Sequence, residues 1–365
     1  MATRAAGPPG IAGAGELRRI VVLAPNWLGD AVMALSAIDD VRRALPHAVV
    51  AVAARPSIAP LFAMVPGIGE TLTIGKGDNR RAIRTLRDGA FDAALLLPNS
   101  FRTALLAWRA GIGRRWGYRT SFRGALLTRA VSPATHPRPP RLDADRAARA
   151  AREPLFAGHQ AALYQELVRA LGFPSGPLRP ALVPPAGSTN AATALLRAAG
   201  WDGHAPLVAL APGAAYGNAK RWPAEMFAEV AASLAIEGIA PVLVGTPADR
   251  PSVTEVVHAM GGRTRVFDLT GQTDLPTLAG LLSMTRGLVS NDSGAMHLAA
   301  ALNVHVTAVF GPTDEQATSP IGPATIVVAR DIWCRPCLLR ECPLTHACMR
   351  GVSAETVLTA ARRAW

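Results

Sequence analysis

The stretch Val289-Ser290-Asn291-Asp292-Ser293-Gly294-Ala295-Met296-His297 decides the fold. It continues the apolar run Gly287-Leu288-Val289, which reads as the end of a buried strand, and leads into Leu298-Ala299-Ala300-Ala301-Leu302, which reads as a helix. Residues 304–310 give a second strand, closed by Gly311-Pro312. A strand, a short polar turn, a helix and a strand make a βαβ unit. In such units ligands sit beyond the carboxyl ends of the strands, where this sequence sets Asp292, Ser293, Gly294 and His297. The helix start offers free backbone N–H groups and the positive end of a dipole, an anion site, and Gly294 lets a phosphate approach the backbone. A plainer reading of the same residues is that Asp292 or Ser293 does no more than cap the helix.

Working outward, the same alternation recurs. In the second half residues 207–211 read as a strand, followed by Pro212-Gly213-Ala214-Ala215-Tyr216-Gly217-Asn218-Ala219-Lys220-Arg221-Trp222-Pro223 and a helix running to Ile236 with Pro223 as its first residue. Lys220 just before a helix start opposes the dipole, which points to an anionic ligand; as a solvated surface lysine it would need none. Residues 241–245 and 266–269 read as further strands, with Asp249 beyond the first of them, where a carboxylate can hold ribose hydroxyls. In the first half residues 20–24 read as a central parallel strand. Pro25-Asn26-Trp27-Leu28-Gly29-Asp30 breaks it, and a helical period follows through Leu35, Ile38, Val41 and Leu45. Asp30 at that turn is either an N-cap carboxylate or a general base partly desolvated beside Trp27 and Leu28. Residues 91–97 read as a strand ending in Pro98-Asn99-Ser100-Phe101, which again places polar groups at a strand's carboxyl end. No internal repeat is visible, although the two halves share this architecture.

Length and composition frame these units. A chain of 365 residues suggests two domains, and its 50% hydrophobic content can fill two cores. The apolar runs fall short of the roughly 18–20 residues of a membrane span. Residues 1–15, mostly Ala, Gly and Pro, lack the apolar core of a signal peptide and read as a disordered tail on a cytoplasmic protein. The net charge of +12 calls for an anionic partner or for nothing more than a solvated basic face. Much of the excess is arginine, with Arg102, Arg109, Arg114, Arg115, Arg119 and Arg123 close together and no nucleic-acid module beside them. Residues 132–152, rich in Pro, Arg and Ala, read as a mobile loop that could act as a lid. Cys334, Cys337, Cys342 and Cys348 lie near His346. Their spacing could hold a structural metal or mark a reduced, locally packed cluster; they lie beyond the last strand read here and contribute nothing to the other motifs.

Taken together, Pro25-Asn26-Trp27-Leu28-Gly29-Asp30-Ala31-Val32-Met33, Leu97-Pro98-Asn99-Ser100-Phe101, Lys220-Arg221-Trp222-Pro223 and Asn291-Asp292-Ser293-Gly294 with His297 resemble the ADP-heptose:lipopolysaccharide heptosyltransferases, in the heptosyltransferase II branch. The resemblance implies an α/β fold of GT-B type, two Rossmann-like domains facing each other across a cleft. Its expected divisions are the tail 1–15, an acceptor-binding domain 16–175, a linker 176–186, an ADP-heptose-binding domain 187–350 and a C-terminal helix 351–365. It implies inverting transfer of heptose from ADP-heptose to the heptosyl-Kdo-lipid A inner core. Asp30 would be the base. Lys220, Asp292, Ser293, Gly294, His297 and Asp249 would hold the donor, and Asn26, Trp27, Asn99 and Ser100 the acceptor. No cofactor or metal is expected for the chemistry. The expected partners are the nucleotide sugar and an anionic lipid A-core acceptor at the inner membrane face, with no nucleic acid. Heptosyltransferase I or III activity on another inner-core acceptor is the nearest alternative. A nucleotide-dependent oxidoreductase is disfavoured because Gly10, Gly13 and Gly15 precede the first strand instead of following it. A non-catalytic basic docking protein would not need Asp30 and Lys220.

Overall fold

The computed structural model describes residues 17–133, 158–262, 264–363 and 365. The expected tail 1–15 lies outside the described residues, as does the expected lid apart from Ser132 and Pro133. The described chain forms two compact units, one from 17–133 with Gln160–Pro180 and the other from 158–159 with Ala181–Trp365.

The first unit is a parallel sheet of β1 (Arg19–Leu23), β2 (Val49–Ala54), β3 (Glu70–Thr73), β4 (Ala93–Leu96), β5 (Arg114–Tyr118) and β6 (Arg129–Val131), in the order β3-β2-β1-β4-β5-β6. The central strands β1 and β4 are almost wholly apolar and buried, as strands covered on both faces must be. The strand order reverses between β1 and β4, so the loops leaving these two neighbours diverge and open a crevice at their carboxyl ends. Helix Leu28–Met33 starts earlier than the apolar period suggests and runs into Leu35–Ala44 with little interruption, because Ala34 N–H bonds Asp30 O and Ile38 N–H bonds Ala34 O. Asp30 therefore lies inside the first helical turn. Buried Asp40 accepts bonds from Gly176 N–H (2.8 Å) and the Gln165 amide (2.9 Å), which fastens the start of the Pro/Gly-rich connector to this unit.

The second unit repeats the plan with β7 (Leu207–Ala211), β8 (Ala240–Leu243), β9 (Phe267–Asp268), β10 (Thr285–Asn291), β11 (His305–Phe310) and β12 (Thr325–Ala329), all parallel, in the order β12-β11-β10-β7-β8-β9. Here β7 takes the place of β1 and β10 the place of β4, so the order reverses between β7 and β10. Trp222, Phe227, Val230, Leu234, Val289, Val309 and Val357 belong to one buried core of this unit. The amphipathic end of the chain is the helix Ala354–Arg362, which buries Val357, Leu358 and Ala361. No helix among the described residues is long and apolar enough to cross a membrane.

Candidate functional site

In the second unit the polar residues gather at the reversal point between β7 and β10. Lys220 closes a short 3-10 turn, Asn218–Lys220, in the loop after β7. Its Nζ lies 2.6 Å from Asp292 Oδ2, just past β10. The Thr313 hydroxyl, past β11, donates to the same oxygen at 2.6 Å. Asp292 is 7% exposed and the Lys220 side chain 13%, so this is a largely desolvated pair and not a solvated lysine. The ammonium also lies 4.9 Å from the centre of the Tyr216 ring.

Neither Asp292 nor Ser293 caps the following helix with its side chain. Ser293 occupies the N-cap position of Gly294–Ala301, but makes no side-chain cap bond; its hydroxyl pairs with Ser290 Oγ at 3.0 Å. The helix start is thus left without a side-chain cap beside the Lys220 ammonium. Asn291, quoted in the motif but given no role from the sequence, is wholly buried. It accepts from Trp222 N–H (3.0 Å) and donates to Pro212 O (2.7 Å), stitching the end of β10 to the loop after β7. His297 lies buried in the same helix. Burial pushes its pKa down to about 4 despite the opposing charge of Asp292, so the imidazole is neutral at physiological pH.

Asp249 stands past β8, where its Oδ2 accepts from the Thr246 N–H (2.8 Å) and hydroxyl (2.7 Å). Glycine at 213 and 245 makes room for it: a Cβ at Gly213 would lie 2.1 Å from Asp249 Oδ1, and one at Gly245 would lie 3.0 Å from its Cβ.

The segment that carries the cysteines packs on these motifs through its other residues. Ala219 N–H donates to Arg340 O (2.9 Å), and His346 Nε2 lies 2.8 Å from Ala219 O. The Tyr216 hydroxyl donates to Leu338 O at 2.9 Å. Leu338 N–H in turn donates to Pro312 O at 2.9 Å. The buried Arg335 guanidinium reaches Gly311 O and Glu315. Segment 335–346 therefore braces both the Lys220 loop and the Thr313 loop. Cys348 is buried and the other three cysteines are partly buried. Among the described residues no group of three or more His, Cys, Asp or Glu is arranged to hold a metal ion.

In the first unit the expected residues lie past β1 and β4. Asp30 is partly buried in the first turn of Leu28–Met33, whose N-cap position belongs to Trp27 with no side-chain cap bond. Buried Tyr164, on helix Gln160–Ala170, neighbours this carboxylate: its phenol is pushed far above its ordinary pKa by burial first and by the charge of Asp30 second. Trp27 is 56% exposed. Ser100 is the N-cap of helix Phe101–Arg109 and accepts from Thr103 N–H at 3.3 Å, a structural role. Asn99 is exposed, and its Oδ1 accepts from Arg123 Nη2 at 3.1 Å. Arg123, one of the closely spaced arginines, is not part of a solvated face: it is wholly buried. Burial holds its pKa down at about 10, so it stays charged at neutral pH.

Comparison with known proteins agrees with this arrangement. Residues 79–348, more than half of the chain, match glycosyltransferase family 9 (heptosyltransferase). Lipopolysaccharide heptosyltransferase 2 of Salmonella typhimurium strain LT2 is 30% identical over 315 residues, covering 83% of this chain and 85% of its own. Lipooligosaccharide heptosyltransferase 2 of Haemophilus ducreyi strain 35000HP is 30% identical over 325 residues, covering 85% and 88%. The solved structure of E. coli ADP-heptose lps heptosyltransferase II matches with a TM-score of 0.77 at 27% identity, over 94% of this chain and 98% of that one. With two parallel Rossmann-like units, a buried lysine at the reversal point of the second and these relatives, the chain belongs to glycosyltransferase family 9, the heptosyltransferases, and is a glycosyltransferase of GT-B type.

Proposed function

We propose that the enzyme transfers heptose from ADP-heptose to the first heptose of a Kdo–lipid A inner core, with inversion at the anomeric carbon, during lipopolysaccharide core assembly. The observation that carries this reading is the buried Lys220–Asp292 pair beside a helix start without a side-chain cap. A lysine ammonium has three donors, so Lys220 can keep Asp292 and take up a diphosphate oxygen as well. The N–H groups at Ser293 and Gly294 add to that cradle. Asp292 Oδ2 is committed to Lys220 and Thr313, and the other oxygen would meet hydroxyls of the transferred heptose. Asp249 would serve the ribose.

In the reaction the acceptor hydroxyl oxygen attacks the anomeric carbon, and the bond from that carbon to the diphosphate breaks with its electron pair going to ADP. The proton of the hydroxyl passes to Asp30. Charge builds on the departing diphosphate, where Lys220 and the helix start stabilise it more than in the ground state. That work is the work a divalent cation does in other transferases, so we infer metal-independent chemistry. His297, neutral, would pack the donor site without adding charge. Asn26, Trp27, Asn99 and Ser100 would border the acceptor.

The strand ends of the first unit suit an anionic, partly apolar acceptor at the inner membrane face. Trp27, Phe101 and Phe122 are exposed past the adjacent strands β1, β4 and β5, with Arg102 and exposed Arg119 among them. Mass spectrometry of product from ADP-heptose and inner-core acceptors carrying zero, one or two heptoses tests the proposal. A single heptose added to the one-heptose acceptor is expected. Addition only to the heptose-free or the two-heptose acceptor would reassign the acceptor, and no addition to any would refute heptose transfer to this core.

A further inference from the structure

Arg123 is the largest wholly buried side chain among the described residues. No carboxylate among them pairs with it, and burial alone accounts for its depressed pKa. Instead its donors are shared out over the ends of two neighbouring strands. Nε donates to Tyr118 O at the end of β5 (2.9 Å). Nη1 donates to Pro98 O past β4 and meets Thr103 Oγ1 at 3.4 Å. Nη2 donates to Asn99 Oδ1 at 3.1 Å. The chain accepts local strain to deliver this group: Ser121 and Phe122, just before it, both have left-handed backbones, with φ of 50° and 58°. Gly117 leaves the space, since a Cβ there would lie 3.0 Å from Nη2 and 3.2 Å from Leu96 O.

A guanidinium has five donors and no acceptor. The Asn99 atom facing it must therefore be the carbonyl oxygen, which settles the orientation of the carboxamide. Asn99 is exposed, and no hydrogen bond among the described residues takes up its NH2 group, which leaves it as a donor polarised by the buried cation on its carbonyl side. We propose that Arg123 is a positioning residue that locks Asn99 as an outward hydrogen-bond donor toward an anionic or hydroxyl oxygen of the acceptor. This rests on the reading of β1 and β4 ends as the acceptor side. A buried charge that meets only neutral oxygens among the described residues costs stability, and the cost makes sense where the charge also favours an anionic ligand. Lysine could not replace it, because one ammonium cannot span Tyr118 O, Pro98 O and Asn99 Oδ1.

Asn99→Asp separates this role from a merely structural one. The new carboxylate keeps an oxygen on Arg123 and gives the buried cation a counter-ion, so the melting temperature should hold or rise. It removes the outward donor and adds a repelling charge, so the KM for an anionic acceptor should rise about tenfold or more. The KM for ADP-heptose should stay within about twofold, since the residues read as donor-binding belong to the second unit. Arg123→Lys should raise the acceptor KM in the same direction with a lower melting temperature. An unchanged acceptor KM in a well-folded Asn99→Asp enzyme, beside an active parent, overturns the proposal alone. Absence of transfer by the parent to any core acceptor overturns the reaction and the proposal with it.

Discussion

The Lys220 ammonium and the Asp292 carboxylate are 72 positions apart in the chain and 2.6 Å apart in the fold. They meet because β7 and β10 are neighbours where the strand order reverses, and each residue is carried by the loop leaving one of those strands. Removing the ammonium leaves Asp292 buried with, among the described residues, only the Thr313 hydroxyl on its Oδ2. Lys220→Ala should lower kcat/KM for ADP-heptose by about 2–4 kcal/mol in transition-state stabilisation, with a fall in melting temperature from the unpaired carboxylate. Steady-state kinetics and a thermal melt on the same preparation check both. A catalytic efficiency equal to the parent's would refute the phosphate role.

The brace from the cysteine stretch divides residues by what they touch. His346 holds Ala219 O, next door to Lys220. His346→Ala should free that turn and raise the KM for ADP-heptose several-fold, about what loss of one hydrogen bond to a positioned loop allows. Cys334, Cys337 and Cys342 are only partly buried, so the triple Cys→Ser variant should keep near-parent kinetics. Cys348 lies within the packed core of the second unit and should tolerate Ser less well. Equal kinetics for His346→Ala and the parent would show that the Lys220 turn holds its shape unaided.

His297 makes stability depend on acid. Its folded pKa, about 4, lies below the ordinary value of 6.5, mainly through burial. Between those values the unfolded chain binds the proton and the folded chain does not, so stability falls as pH is lowered. The contribution is intact above about 6.5 and is lost as pH falls through about 4, on the order of 3 kcal/mol in all. His159, also buried and with a lowered pKa, acts in the same direction. Denaturant melts of the parent and of His297→Gln from pH 7 to pH 4 check this, with a shallower decline expected in the variant. Parallel declines would mean that other groups set the acid limit.

The sequence makes the βαβ frame legible where apolar runs are long and end in polar turns, as from 285 to 310. It is less informative where a strand begins with charge, as β5 does with Arg114-Arg115. The strand β12 is apolar but follows Pro320 and Pro323, which read as loop. Asp30, Lys220 and Asp292 stood out because each breaks a local expectation at a strand's end. Arg123 did not, since one arginine in a basic run looks solvated until β4 and β5 are set side by side. Thr313 and Asn291 are legible only once the strand order is known, because their partners come from other loops. The brace by residues 335–346 was hidden for the same reason.

Asp30 is the residue whose two readings separate most cleanly. The N-cap position of its helix belongs to Trp27, and Asp30 sits three residues on, inside the first turn. As a structural residue it would contribute the favourable placement of an acid near a helix start, about 0.3–1 kcal/mol, beside its neighbour Tyr164. Asp30→Asn would remove that small term and keep size and shape, so the fold should survive. As a base, the same change removes the group that takes the acceptor's proton, and such a loss typically lowers the rate about a hundred- to ten-thousand-fold. ADP binding should stay near normal, because Lys220, Asp292 and Thr313 make their contacts with one another in the second unit. The expected variant is folded, binds ADP by calorimetry as the parent does, and barely turns over at saturating acceptor. Turnover within a few-fold of the parent would return Asp30 to the structural role and leave Asp292 as the next carboxylate to change.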